Sequence, residues 1–176
     1  YFLSLGALSG PVTVRTIYSD SVQGDVRFAD VLSRMGAAVT RLDDSITVKR
    51  GNLRGIDIDM NDMPDAAMTL AVLALFAEGP THIRNIANLR VKESERIAGL
   101  ASELRKLGAI VEEGHDNLKI VPPARIQSAV IETFQDHRMA MAFSLAAFGA
   151  DVTILDPMCV RKTYPAYFED FKRVLA

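Results

Sequence analysis

Lys92, Glu93 and Arg96 stand close together in "NLRVKESERIAGLASEL", Asn88 to Leu104, and the surrounding pattern gives the carboxylate an odd place. Ile97, Leu100, Leu104 and Leu107 recur at the three- and four-residue spacing of one buried helical stripe. Carried back one turn from Ile97, the stripe meets Glu93, with Lys92 and Arg96 flanking it on one side. A carboxylate turned inward can move a proton, and two cations beside it can hold an anion. Similar groups open two apolar helices. Asp65 follows Pro64 ahead of "AAMTLAVLALFA", and Asp136, His137 and Arg138 precede "MAMAFSLAAF". Lys162 lies in "CVRKTYP", ahead of Pro165 at the start of the last helix.

Taken singly, each of these residues has a plainer role. An acid beside proline is an ordinary helix start, because a carboxylate accepts the orphan amides of a first turn. Lys92 and Arg96 on a wet helix face read as solvated charges. What raises them above that is the elements that position them. The chain repeats itself with a period of about 70 residues, the signature of stacked structural units. "FADVLSRMGAAVTRLDDSITV" matches "LASELRKLGAIVEEGHDNLKI", with Gly36 answering Gly108. "YFLSLGALSGPVTVRTI" matches "TLAVLALFAEGPTHIRNI", and "AFSLAAFGADVTILDP" is a third version.

Each unit reads β-α-β-α-β-β, with hairpin turns predicted at Asp43 to Ser45 and Gly114 to Asn117 and short strands in "GIDIDM" and "AVIETF". The chain holds about two and a half copies, which predicts an α/β (α+β) fold in a single domain over residues 1–176. "PDAAMTLAVLALFAEG" and "DHRMAMAFSLAAFG" are apolar nearly all round and are predicted to be buried helices; "GDVRFADVLSRMG" and "VKESERIAGLASELRKLG" have one wet face. "YFLSLGALSG" reads as a helix already under way, ending at Gly6 or Gly10, so the chain is expected to be a piece of a longer polypeptide. Equivalent ends of repeated units lie together. Asp65, the Lys92–Arg96 group and Asp136 to Arg138 are therefore expected at one mouth, where helix amino termini favour anions, with Lys162 a second source of positive charge.

Composition narrows the partners. Twenty basic against twenty-two acidic residues give a formal charge of -2, without the basic excess that a nucleic-acid binder needs. The longest apolar run, "AMTLAVLALFA", is well short of the roughly 20 residues of a membrane span. Cys159 is the only cysteine, compatible with a reducing compartment, and with His82, His115 and His137 it forms no metal-ligand spacing. No metal or cofactor is expected, and neither a phosphate-binding glycine loop nor a nucleophile elbow occurs.

In "PDAAM", "RVKESERI", "DHRMAM" and "ILDPMCVRKTYPAYFEDF" the chain resembles the 5-enolpyruvylshikimate-3-phosphate synthase family, and the matches run from end to end in family order. The resemblance implies the carboxy-terminal portion of a two-domain enzyme of β-α-β-α-β-β units. Such an enzyme moves the enolpyruvyl group of phosphoenolpyruvate to the 5-hydroxyl of shikimate 3-phosphate, with release of phosphate and no cofactor. It implies roles by position: Asp65 as the base for the 5-hydroxyl, Asn88 and Lys92 as shikimate 3-phosphate contacts, and Glu93 as proton carrier for the methylene carbon. Arg96, Arg138 and Lys162 follow as phosphoenolpyruvate ligands, with Lys162 also a candidate acid. Further expectations are a monomeric cytoplasmic enzyme of aromatic amino-acid biosynthesis and an amino-terminal domain outside these residues, without which the chain is inactive. The rival readings are a UDP-N-acetylglucosamine enolpyruvyl transferase fragment, a non-catalytic binding or structural domain, and the fold used in RNA 3'-phosphate cyclisation, which the charge disfavours.

Overall fold

The computed structural model of the chain describes residues 1–18, 21 and 23–175. The repeat is plain in its helices. α1 (Phe2–Leu8), α3 (Pro64–Leu73) and α5 (His137–Phe143) are the apolar helices, and every residue of α3 from Ala67 to Leu73 is buried. No wet side remains on them, so burial against neighbours rather than an amphipathic stripe fixes their place. α2 (Phe28–Met35), α4 (Arg96–Lys106) and α6 (Tyr167–Leu175) alternate buried and exposed residues. Together the buried side chains form one continuous core.

Among the described residues the strands form three sheets. β1 (Val12–Arg15), β2 (Ala38–Leu42) and β3 (Ser45–Lys49) make an antiparallel sheet in the order β1-β3-β2. β4 (Asp57–Asp59), β5 (Thr81–Arg84), β6 (Ile110–Glu113) and β7 (Leu118–Val121) follow in the order β4-β5-β7-β6, with only the β4–β5 pair parallel. β8 (Ala129–Ile131) and β9 (Val152–Ile154) form a parallel pair around α5, as β4 and β5 do around α3. Both predicted hairpin turns fall where expected, between β2 and β3 and between β6 and β7.

Gly36 and Gly108 answer each other structurally too. Each takes a left-handed φ, +109° and +95°, just past the end of α2 and α4. The amides of Ala37 and Ala109 then bond back to Leu32 and Leu104, closing the same helix stop twice. Thr16 and Asn85, which follow β1 and β5, and Asp156, two residues beyond β9, are also left-handed at matching places in the three repeats.

Three element limits differ from the sequence reading. α1 ends at Leu8 and runs through Gly6, whose missing side chain lets the Val48 carbonyl approach; a Cβ there would lie 2.5 Å from that oxygen. α3 and α5 tighten into 3-10 turns at Ala74–Phe76 and Ser144–Phe148, where an unbroken apolar sequence carries no stop signal. The third matters for chemistry. "VKESERIAGLASELRKLG" is not one helix: a 3-10 turn spans Ala87–Val91, residues 92–95 are irregular, and α4 begins at Arg96 with the Glu95 side chain capping the Ala98 amide at 2.9 Å.

Candidate active site

Arg96 opens α4 and is turned completely inward. Its side chain is 1% exposed, so the wet-face position expected for it is wrong. An unpaired guanidinium at that depth is prohibitively costly, and the chain surrounds it with carboxylates. Nε and Nη2 donate to the two oxygens of Asp136 at 2.7 and 3.2 Å, a forked pair. Nη1 donates to Asp65 Oδ1 at 2.8 Å, and Nη2 also reaches Glu93 Oε2 at 2.7 Å.

Each carboxylate arrives by a different local device. Pro64 starts α3, which puts Asp65 in its first turn. Asp136 caps α5: its Oδ1 accepts the Arg138 amide at 2.9 Å while Oδ2 accepts the Ser94 hydroxyl at 3.0 Å. Phe134 and Gln135, both left-handed, turn the chain into that cap. Such residues cost of order 1–3 kcal/mol each and persist where surrounding structure over-determines them. Glu93 comes from the irregular segment ahead of α4, not from the helical stripe onto which the sequence pattern projected it.

Two more cations complete the cluster. Arg138 Nη2 lies 3.0 Å from Asp65 Oδ2, and Lys162 Nζ lies 3.0 Å from Glu93 Oε1. Lys162 ends the 3-10 turn Pro157–Lys162, which packs on α5. Its anchor is aromatic: Tyr167 stacks edge-on with Tyr164 and Phe168, and its hydroxyl meets the Met141 carbonyl and Ser144. Asp65, Glu93, Arg96, Arg138 and Lys162 are thus brought together as expected. Asn88 and Lys92 are exposed, and among the described residues their side chains make no hydrogen bond or ion pair. Asp136, expected at the same mouth but given no chemical role there, is the main partner of Arg96. Its signal was there, since the repeat pairs it with Asp65 at the start of a buried helix.

The charges settle unequally. Lys162, and then the local backbone and Arg96, hold the Glu93 carboxyl down to about 2, so Glu93 is ionised at neutral pH. Burial alone pushes Asp136 up, but the Arg96 bonds and the Arg138 amide outweigh it and keep the carboxyl below its ordinary value. Burial likewise lowers His137, which stays neutral, its Nδ1 3.8 Å from Asp136 Oδ1. Three cations therefore face three carboxylates.

The Glu93–Lys162 pair contributes to the acid limb of stability. A carboxyl held lower in the fold than in the unfolded chain contributes stability above the unfolded value of 4.5 and loses it as pH falls toward about 2. Thermal unfolding followed across that window is expected to show this decline, and Lys162→Met, which removes the largest cause, to flatten part of it. An unchanged acid limb in the variant counts against the pairing.

A cleft of about 110 Å³ beside the network is lined by Asp65 and Arg138 with Tyr1, Asp25 and Thr69. A larger open cleft of about 680 Å³ is lined by Arg125, Gln127 and Asp151 and shares no residue with the network. Acid–base chemistry needs carboxylates held against cations: Asp65 and Arg138 are paired in the first cleft, whereas among the described residues no ion pair joins Arg125 to Asp151 in the second.

This fold is that of an enolpyruvyl transferase. It superposes on the enolpyruvyl transferase NikO from Streptomyces tendae with a TM-score of 0.74 at 24% identity, over 97% of this chain and 40% of that one. The chain belongs to the EPSP synthase family, whose model, described as EPSP synthase (3-phosphoshikimate 1-carboxyvinyltransferase), matches residues 1–171. An EPSP synthase structure from Acinetobacter baumannii matches with a TM-score of 0.84 and 26% identity, over 97% of this chain and 43% of that one. Among curated relatives, the 3-phosphoshikimate 1-carboxyvinyltransferases of Serratia proteamaculans and Yersinia pseudotuberculosis are each 58% identical over 176 residues. The chain spans 41% of the length of each.

Proposed function

We propose that these residues form the carboxy-terminal, substrate-facing side of a 3-phosphoshikimate 1-carboxyvinyltransferase, most of one of its two domains. The observation that carries the reading is that one buried guanidinium holds Asp65 and Glu93 side by side, at 2.8 and 2.7 Å. Addition to an enol phosphate needs two proton movements at neighbouring points of one assembled substrate pair. Asp65 takes the proton of the 5-hydroxyl of shikimate 3-phosphate as that oxygen bonds to the central carbon of phosphoenolpyruvate. A proton carried by Glu93 goes to the methylene carbon and returns to Glu93 as the carbon–oxygen bond to phosphate breaks. Lys162 protonates or neutralises the departing phosphate. Nothing is oxidised or reduced, and no cofactor is required.

The pairing of Lys162 with Glu93 gives this sequence an order. A carboxylate held at about 2 is no acid at neutral pH. An incoming phosphate draws Lys162 and Arg138 toward itself, which weakens their hold on Glu93 and Asp65 and lets both accept protons. Binding of the anion thus arms the carboxylates. The exposed Lys92 and Asn88 are free to meet the phosphate and hydroxyls of shikimate 3-phosphate. Three cations already balanced by three carboxylates are too few for two polyanionic substrates, so the amino-terminal domain supplies the remainder and the isolated chain is inactive. The two-stranded sheet β8–β9, against four strands in the preceding repeat, supports further chain completing the domain. No helix among the described residues is long and apolar enough to cross a membrane, and we place the whole enzyme as a monomer in the cytoplasm.

Phosphate release by the full-length protein tests this. Release is expected with phosphoenolpyruvate plus shikimate 3-phosphate, and none with UDP-N-acetylglucosamine as acceptor. The reverse preference overturns the substrate assignment.

A further inference from the structure

Lys92 and Glu93 sit in an irregular loop, and irregular loops do not place catalytic groups unaided. The neck of this loop is an ion pair, Arg90 Nη1 to Glu95 Oε1 at 3.1 Å, which closes Val91–Ser94 between its ends. Arg90 reaches further. Its Nε donates to the His115 carbonyl at 2.6 Å, and Nη2 to the Gly114 carbonyl at 2.6 Å and to Glu113 Oε1 at 3.2 Å. The other end of the same segment is tied down too, since the Ile86 amide donates to the Asp116 carbonyl at 2.8 Å. The turn between β6 and β7 is therefore the seat on which residues 86–95 rest.

We infer that Arg90 is a positioning residue, which seats the Asn88–Glu93 loop on the β6–β7 turn and so sets where Lys92 and Glu93 meet substrate. This rests on the carboxyvinyl-transfer reading of the site. Arg90 touches no member of the carboxylate–arginine network itself and acts through its neighbours. Only a guanidinium can do this: one planar fork serves two carbonyls and two carboxylates in different directions, whereas a lysine presents a single point charge. The seat is itself closely packed: Asn117 Oδ1 faces His82 Nε2 on β5 at 3.4 Å, and a Cβ on Gly114 would meet the Asn117 side chain.

The test uses the full-length protein with Arg90→Gln and Arg90→Lys. Displacing Lys92 without touching the phosphoenolpyruvate ligands is expected to raise KM for shikimate 3-phosphate by about tenfold and to lower kcat, with KM for phosphoenolpyruvate changed less than about threefold. Arg90→Lys should not rescue, because an ammonium cannot serve both carbonyls and both carboxylates. With Lys92→Ala added to Arg90→Gln, the two effects on KM for shikimate 3-phosphate should fall short of additive, because both act through one lysine. Unchanged KM values with only a lower melting temperature, or additive effects, overturn the inference. If the wild-type protein shows no carboxyvinyl transfer, the functional reading fails separately, and amide hydrogen exchange decides on Arg90: faster exchange across residues 88–95 in Arg90→Gln supports its role, and unchanged exchange refutes it.

Discussion

Arg96→Ala is expected to destabilise the protein by about 3–5 kcal/mol, because it leaves Asp136 buried without its countercharge. Asp136 is 0% exposed and takes two hydrogen bonds, its shortest included, from that one guanidinium, its only ion-paired arginine among the described residues. For a domain of this size each kcal/mol lowers the melting temperature by about 2–4 °C. A fall of roughly 6–20 °C should therefore be seen by calorimetry or circular dichroism. Arg96→Lys should recover little of it, since an ammonium cannot reach three carboxylates in three directions. Arg96→Leu combined with Asp136→Leu should be less damaging than Arg96→Leu alone, because the second change removes the stranded charge. A loss under about 1 kcal/mol for Arg96→Ala would mean that the buried fork is absent in solution.

Asp65→Asn addresses chemistry rather than folding. The amide keeps the shape and can still accept from one arginine, so substrate affinity should change modestly. It cannot take the hydroxyl proton. In the full-length protein kcat for phosphate release is expected to fall by about 10²–10⁴, the usual contribution of a positioned general base. A fall in kcat with KM values held within a few-fold marks an interaction made in the transition state. A change in KM alone would reassign Asp65 to binding.

Much of this arrangement was legible in the sequence because the chain repeats. Gly36 and Gly108 marked two equivalent helix stops, and Asp65 and Asp136 two equivalent starts, so convergence of their ends followed from the period alone. What escaped were the consequences of contacts between distant residues. Arg96 looked like a solvated charge because the run "KESER" reads as a wet helical turn. Its burial depends on Asp136 and Asp65, 40 and 31 positions away, arriving from other elements. Glu93 was expected inward for a helical reason that does not hold, since α4 starts after it. The left-handed Phe134 and Gln135, which aim Asp136, carry no local sequence signal, being neither glycine nor asparagine.

The central claim is that one anionic-substrate face is assembled from Asp65, the Asn88–Arg96 segment, Arg138 and Lys162. The most direct test is an amide-resolved NMR titration of the full-length protein with phosphoenolpyruvate in the presence of shikimate 3-phosphate. The account predicts shifts concentrated at those residues and weakened by Arg138→Ala. Shifts confined to the larger cleft at Arg125, Gln127 and Asp151, with the network unmoved, would contradict it.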